Sequence, residues 1–248
     1  MPRTVVIVQA RMGSSRLPQK VMLPVGGRPL LEHLLLRLNR AQKPDAVMIA
    51  TSDKTGDDAI AEFALKQNSP CYRGSESDVL ARYFHAAQQI DAEHIVRVTA
   101  DCPMLDPATI DAAILQFEKS GCDYISTGIA PITYPNGLGC EVFTFSALER
   151  AHTETQDPWH REHVTTYIKE PDAGFRCEGI GLDRSYAHIR LTVDTAEDYQ
   201  AVKRAIEALI QDNPEYTLDD ILSFVNAHPE VLDINRLIQQ KTRENETT

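Results

Sequence analysis

The sequence predicts an α/β protein built on a mostly parallel, doubly wound sheet. Three observations carry this. Short β-branched runs alternate with segments of helical periodicity as far as about residue 126, the first run ends in a polar loop, and the rhythm breaks only over residues 128–185 before it resumes. A chain of 248 residues accommodates this as one domain, expected over residues 1–241, with 128–185 as an inserted excursion.

Val5-Val6-Ile7-Val8 reads as a buried strand that gives way to a loop over residues 10–20. From Pro29, Leu30, Leu31, Leu34, Leu35 and Leu38 recur at helical spacing. Ala46 to Ala50 reads as a strand, 56–68 as a helix, a short strand follows near Cys71, and 77–90 is helical. Ile95 to Thr99 is a strand with Asp101 just beyond it, 107–119 is a helix opened by Pro107, and Tyr124-Ile125 lies in a further strand. Inside the excursion, Pro131, Pro135, Asn136-Gly137 and Gly139 precede a strand at Glu141 to Phe145, a helical stretch and a strand near Phe175. Ile189 to Val193 then reads as a strand ending at Asp194, followed by helices over 195–211, 217–227 and 229–240. Residues 242–248 are polar enough to fray.

Composition narrows the partners. The net charge of −11 argues against nucleic acid or an anionic membrane, because phosphate backbones reward clustered cations. The distribution is uneven: residues 1–44 carry +7 and the remainder −18, which suggests a local site for a small anion. Arg37, Arg40 and Lys43 read as a solvated helix face, leaving Arg11, Arg16 and Lys20 in the loop. Five scattered cysteines without Cys-x-x-Cys pairs read as free thiols, and no run approaches the roughly 20 apolar residues of a membrane helix. The expectation is a soluble cytoplasmic protein.

The strongest chemical feature is Gln9-Ala10-Arg11-Met12-Gly13-Ser14-Ser15-Arg16-Leu17-Pro18-Gln19-Lys20. Ala10 and Gly13 allow close backbone approach, Ser14 and Ser15 add hydroxyls, and Arg11, Arg16 and Lys20 neutralise charge, as a triphosphate requires. It is neither a Walker loop nor a dinucleotide fingerprint. A solvated basic loop is the alternative. Asp101 and Asp194 each follow an apolar run, and on neighbouring strands both would reach one sheet edge, where a hard cation could bridge them to phosphates. Asp194 could equally be a helix cap. In His160-Arg161-Glu162-His163 the zincin pattern and a third ligand are missing, so Arg161 and His163 read either as an anion-binding pair or as a surface turn. The serines have no triad partners, and Cys102 reads as a small core residue.

These segments together resemble a known family. Val6 to Lys20 is similar to the opening of the acidic-sugar cytidylyltransferases (the CMP-KDO and acylneuraminate type): a strand, Ala-Arg, Ser-x-Arg-Leu-Pro and a Lys. Arg97-Val98-Thr99-Ala100-Asp101-Cys102-Pro103, Gly137 to Phe143, Arg161 to Thr165 and Leu191 to Tyr199 resemble the branch named for the spore coat polysaccharide protein SpsF, and the likeness runs to about residue 205. The resemblance implies a nucleotide-diphospho-sugar transferase sheet of Rossmann-like type, CTP as substrate, Mg²⁺, and a homodimer formed through the excursion. It implies that Ala10, Arg11, Arg16 and Lys20 hold CTP phosphates, that Asp101 and Asp194 hold the metal, and that Thr51, Asp53, Gly74 and Asp78 surround the nucleoside; Ser14, from the loop's hydroxyls, is a further nucleotide-binding candidate. Arg11, Arg16, Lys20 and Asp101 would then act in catalysis. Arg161 and His163 are the candidates for a sugar carboxylate, and Glu141 for a sugar hydroxyl. The Gly-Thr-Asp-Arg stretch of the CMP-KDO synthetases is replaced here by Gly74-Ser75-Glu76-Ser77-Asp78-Val79. The expected reaction is transfer of CMP from CTP to an acidic 2-keto sugar, in surface polysaccharide or glycan synthesis. The rivals are another nucleotidyl- or glycosyl-transferase on the same sheet and a non-catalytic sugar-binding homologue.

Overall fold

The computed structural model describes residues 3–240. Strand β1 (Thr4–Gln9) is buried over all but its last residue, as its β-branched run demands of a strand covered on both faces. A loop and a 3-10 turn (Lys20–Met22) lead to a small hairpin, β2 (Pro24–Val25) and β3 (Arg28–Pro29), and then to α1 (Leu30–Leu38). The alternation continues with β4 (Ala46–Ser52), α2 (Asp58–Lys66), β5 (Cys71–Gly74), α3 (Val79–Gln89), β6 (His94–Thr99), α4 (Pro107–Ser120) and β7 (Tyr124–Ser126). Then come β8 (Glu141–Thr144), α5 (Phe145–Glu154), α6 (Pro158–His163), β9 (Cys177–Gly179), α7 (Ala196–Asp212), α8 (Leu218–Ala227) and α9 (Glu230–Asp233).

Seven strands form one sheet in the order β5-β4-β1-β6-β8-β7-β9. The first four are parallel, β8 runs antiparallel between β6 and β7, and β9 is parallel to β7. The fold class read from the sequence is therefore the one observed. Alternate residues of the strands face opposite layers. Val6, Val8, Val96 and Val98 pack against α1, α2 and α4, whereas Val5, Ile7, Met48 and Ile95 pack against α3 and α5. A third apolar cluster joins Val25, Leu191 and Val193 to α7 and α8.

Four readings need correction. Ile189 to Val193 is extended but makes only one isolated bridge, Arg190 with Asn136; its alternating apolar side chains are buried against the C-terminal helices, not within the sheet. The helix expected over 229–240 is a single turn, Glu230–Asp233. Pro29 ends β3 and caps α1 instead of beginning it. Arg37, read as solvated, is 4% exposed: it donates to the carbonyls of Leu105 and Tyr216, both at 2.9 Å, and stacks on the Tyr216 ring. The excursion returns β8 to the sheet and the expected frayed tail, residues 242–248, lies outside the described residues.

Candidate active site

Parallel pairing of β1 with β4 and β6 brings three carboxyl-terminal strand ends to one edge, where open α/β sheets place ligands. The loop after β1 is held there by specific bonds. The Ala10 N–H donates to the Ala50 carbonyl at 3.1 Å, and the Gln19 N–H closes the loop on the Met12 carbonyl at 2.9 Å. The Met12 N–H donates to the buried Asp57 carboxylate at 2.6 Å, whose other oxygen accepts from the Ser52 hydroxyl. Asp57 thus fixes the loop to the end of β4. No motif around Asp57 marks it for this role.

The 3-10 turn after the loop directs Lys20 inward. Its Nζ lies 2.8 Å from Asp101 Oδ2 and 2.8 Å from Asp194 Oδ1. The two aspartates come from segments 93 residues apart, which the Val193 N–H ties together by donating to the Asp101 carbonyl at 2.8 Å. Beside them, Gly137 takes φ +96°, and a Cβ there would lie 2.5 Å from the Thr192 nitrogen. Only glycine allows so close an approach.

Asp194 is further surrounded by cations. Arg16 Nη2 and Arg190 Nη2 stand 3.2 and 3.1 Å from its Oδ2. Arg190 also forms a two-pronged pair with the fully buried Asp198, at 2.8 Å through both Nε and Nη2. Asp198 accepts the backbone N–H groups of Asp194 and Thr195 as the N3 member of the α7 capping box, and Asn235 Nδ2 donates to it at 2.8 Å. Burial alone would raise the Asp194 pKa, but Lys20, Arg16 and Arg190 outweigh it and hold it below the ordinary carboxylate value. Burial would likewise lower Lys20, yet Asp101 and Asp194 raise it, so the ammonium stays charged.

These groups line a cleft of about 450 Å³. The lining includes Ala10, Arg11, Ser14 and Arg16 of the loop, then Lys20, Asp101 and Asp194, and Trp159, Glu162 and His163 of α6. Arg11 reaches across to Glu162 at 3.6 Å. Cys102 also lines the cleft, but burial first and Asp101 second push its thiol up to about 12, so it is neutral near pH 7 and a poor nucleophile.

Other residues singled out by sequence lie elsewhere. Thr51, Asp53 and Gly74 sit at the ends of β4 and β5, beside the cleft and not in its lining; the Asp53 N–H donates to the Gly74 carbonyl at 2.8 Å, and the Thr51 side chain is fully buried. Asp78 caps α3 by accepting from the Ala81 N–H, and its other oxygen takes Arg161 through Nε at 3.0 Å and Nη2 at 2.5 Å. Asp78 and Arg161 therefore neutralise each other, and neither lines the cleft. Glu141 does not face it either. It is gripped by Arg97 at 2.8 Å, the Tyr124 hydroxyl at 2.7 Å, the Thr165 hydroxyl at 3.1 Å and Lys169 at 3.6 Å. Burial opposes its ionisation, but Arg97, Lys169 and Tyr124 together hold its pKa at about 2. Three donors and the nearby Lys169 hold this carboxylate inside the protein and outside the cleft lining, so it is not presented to a sugar hydroxyl.

Among the described residues no group of three His, Cys, Asp or Glu side chains is arranged to hold a metal. Two carboxylates converging on one cation are nevertheless the protein share that Mg²⁺ ordinarily takes, with phosphates and water completing its shell.

Residues 5–237 match the family model for cytidylyltransferases. The chain belongs to the cytidylyltransferase family. Among its relatives, it is 36% identical over 238 residues to an uncharacterized protein of Methanocaldococcus jannaschii, covering 95% of this chain and 96% of that one. It is 33% identical over 231 residues to the spore coat polysaccharide biosynthesis protein SpsF of Bacillus subtilis, covering 90% and 94%. Among solved structures, a cytidylyltransferase from Leptospira borgpetersenii superposes with a TM-score of 0.89 at 29% identity, covering 98% of this chain and all of that one. A CMP:2-keto-3-deoxy-manno-octonic acid synthetase complexed with CTP shares the fold, with a TM-score of 0.63 at 18% identity over 85% of this chain and 99% of that one. Among the described residues of this cytidylyltransferase-family chain, no helix is long and apolar enough to cross a membrane.

Proposed function

We propose that this protein transfers CMP from CTP to an acidic 2-keto sugar and releases pyrophosphate. The observation that carries the reading is the convergence of Asp101, Asp194 and Lys20, with both ammonium-to-carboxylate distances at 2.8 Å, in a cleft that the cationic loop also lines. Family membership supports cytidine as the base, and the names of relatives such as SpsF support a sugar of polysaccharide synthesis as acceptor. Homologues named 3-deoxy-manno-octulosonate cytidylyltransferase, matching about half of this chain, support an acidic one.

In this reading the sugar's anomeric oxygen forms a bond to the α-phosphorus, the bond from that phosphorus to the bridging oxygen breaks, pyrophosphate departs and the hydroxyl proton passes to solvent. The chain's contribution is positional and electrostatic. The loop's backbone and Ser14 cradle the phosphates, while Arg11, Arg16 and Lys20 stabilise charge accumulating on the leaving group. Asp101 and Asp194 would hold Mg²⁺, which when bound supplies charge neutralisation and Lewis acidity at the phosphates. His163, in the cleft lining, is left as the candidate for the sugar's carboxylate. The excursion is the proposed dimer contact.

Pyrophosphate release, assayed with CTP and Mg²⁺ across a panel of acidic sugars, tests the reading. Asp101→Asn and Asp194→Asn should each lower turnover about a hundredfold or more. Near-normal turnover in both variants, or no release with any acidic sugar, would defeat it.

A further inference from the structure

Besides Arg11 and Arg16 of the loop, two arginines line the cleft, Arg97 from β6 and Arg82 from α3. Their surroundings differ. Arg97 is neutralised by Glu141 at 2.8 Å and also donates to Gln9 at 3.0 Å. Arg82 is 1% exposed, yet it forms no ion pair among the described residues. One hydrogen bond holds it, from Nη1 to the Ser75 carbonyl at 2.8 Å, and its buried Nε has no partner. Burial first, and Arg11 among its charged neighbours, disfavour the guanidinium's charge, while Tyr83, Asp57 and Glu76 oppose this without forming an ion pair with it. Asp57 is already engaged by Met12 and Ser52.

A buried guanidinium without a counter-charge is strongly unfavourable in a free protein, and guanidinium stays charged at any ordinary pH. A fold tolerates such a group where a ligand supplies the missing anion. Arg82 lines the cleft with Arg11 and Gly13 of the cationic loop, so the anion it meets is the one that loop surrounds. We infer that Arg82 is a further binding residue for the nucleotide, meeting an oxyanion of its phosphate chain beside Arg11. This rests on the reading of the cleft as a triphosphate site. A carboxylate of the acidic co-substrate has the same oxyanion chemistry, and the neighbouring loop favours phosphate over it.

The test uses the full chain with Arg82→Gln, which removes the charge but keeps a donor for Ser75, and Arg82→Lys, which keeps the charge. Unliganded melting temperatures and calorimetric affinities for CTP and for inorganic tripolyphosphate, in magnesium buffer, are compared with those of the unaltered protein. The expected result is that Arg82→Gln melts at the same temperature or higher without ligand, binds both probes roughly ten- to a hundredfold more weakly, and that Arg82→Lys recovers most of the loss. Unchanged affinity of Arg82→Gln for both probes overturns the inference, and so does a Lys variant as weak as the Gln variant. If Arg82→Gln leaves both probes untouched but weakens N-acetylneuraminate, used as a carboxylate probe, the phosphate assignment is likewise overturned. An unaltered protein that binds tripolyphosphate through Arg82 but not CTP would leave the inference standing and defeat the cytidine reading instead.

Discussion

Replacing Glu141 by glutamine is expected to damage the fold before it damages the chemistry. The substitution preserves volume and can still bond the Tyr124 and Thr165 hydroxyls, but it removes the counter-charge of Arg97, leaving that guanidinium with the Gln9 amide oxygen at 3.0 Å and the Tyr83 ring face at 5.9 Å. Removing one partner of a buried ion pair costs about 3–5 kcal/mol. Linkage gives a similar figure: the gap between an ordinary Glu at 4.5 and about 2 in the folded protein corresponds to about 3–4 kcal/mol at roughly 1.4 kcal/mol per pH unit. The sign follows from the depressed folded value. The contribution is complete above the unfolded-state pKa of 4.5 and is lost as the pH falls from there through about 2. Urea denaturation at pH 7 should show Glu141→Gln less stable by about 3 kcal/mol, a fall of roughly 6–12 °C in melting temperature for a chain of this size. Repeated at successively lower pH, the gap between the two proteins should narrow. A loss under about 1 kcal/mol at pH 7, or a gap independent of pH down to about 3, would refute the structural role.

Two further outcomes follow from the same geometry. Gly137→Ala would drive a Cβ to 2.5 Å from the Thr192 nitrogen at φ +96°, so a loss of about 2–4 kcal/mol is expected, with turnover falling because the displaced backbone carries Asp194; a melting temperature within about 2 °C of the original would contradict this. Asn235→Ala removes the 2.8 Å donor to Asp198 and so loosens Arg190 and Asp194; Mn²⁺ binding in the presence of CTP, followed by electron paramagnetic resonance, should weaken roughly tenfold or more, and unchanged binding would show that the brace does not reach the aspartate.

How much was legible in the sequence depended on how local the determining forces are. Val5 to Val8 must be a strand covered on both faces, and the cationic loop must follow it, because burial of β-branched residues and the turn chemistry of Gly13 and Pro18 act within a few positions. Asp101 was placed correctly at the end of β6 for the same reason. Ile189, Leu191 and Val193 show the limit of such reasoning: their alternation fixes which side is buried, but burial against α7 and α8 satisfies it as well as a sheet does. The charged residues show a second limit. Glu141 and Arg161 have the same sequence appearance as Arg16 and Lys20; what separates them is that partners 44 and 83 positions away hold the first two outside the cleft lining, whereas Arg16 and Lys20 pair with carboxylates inside it. Arg82 is the reverse case, a helix arginine that periodicity alone would assign to structure, whose distinguishing property is a partner that is missing. A candidate binding residue in this family of sheets is therefore better recognised by the balance of charge around it than by its identity. At Asp194 that balance is set by Lys20, Arg16 and Arg190 together, so replacing any one of these cations perturbs an anion that the other two still hold. Double substitutions, rather than single ones, are needed to separate a cation's effect on phosphate from its effect on the aspartate.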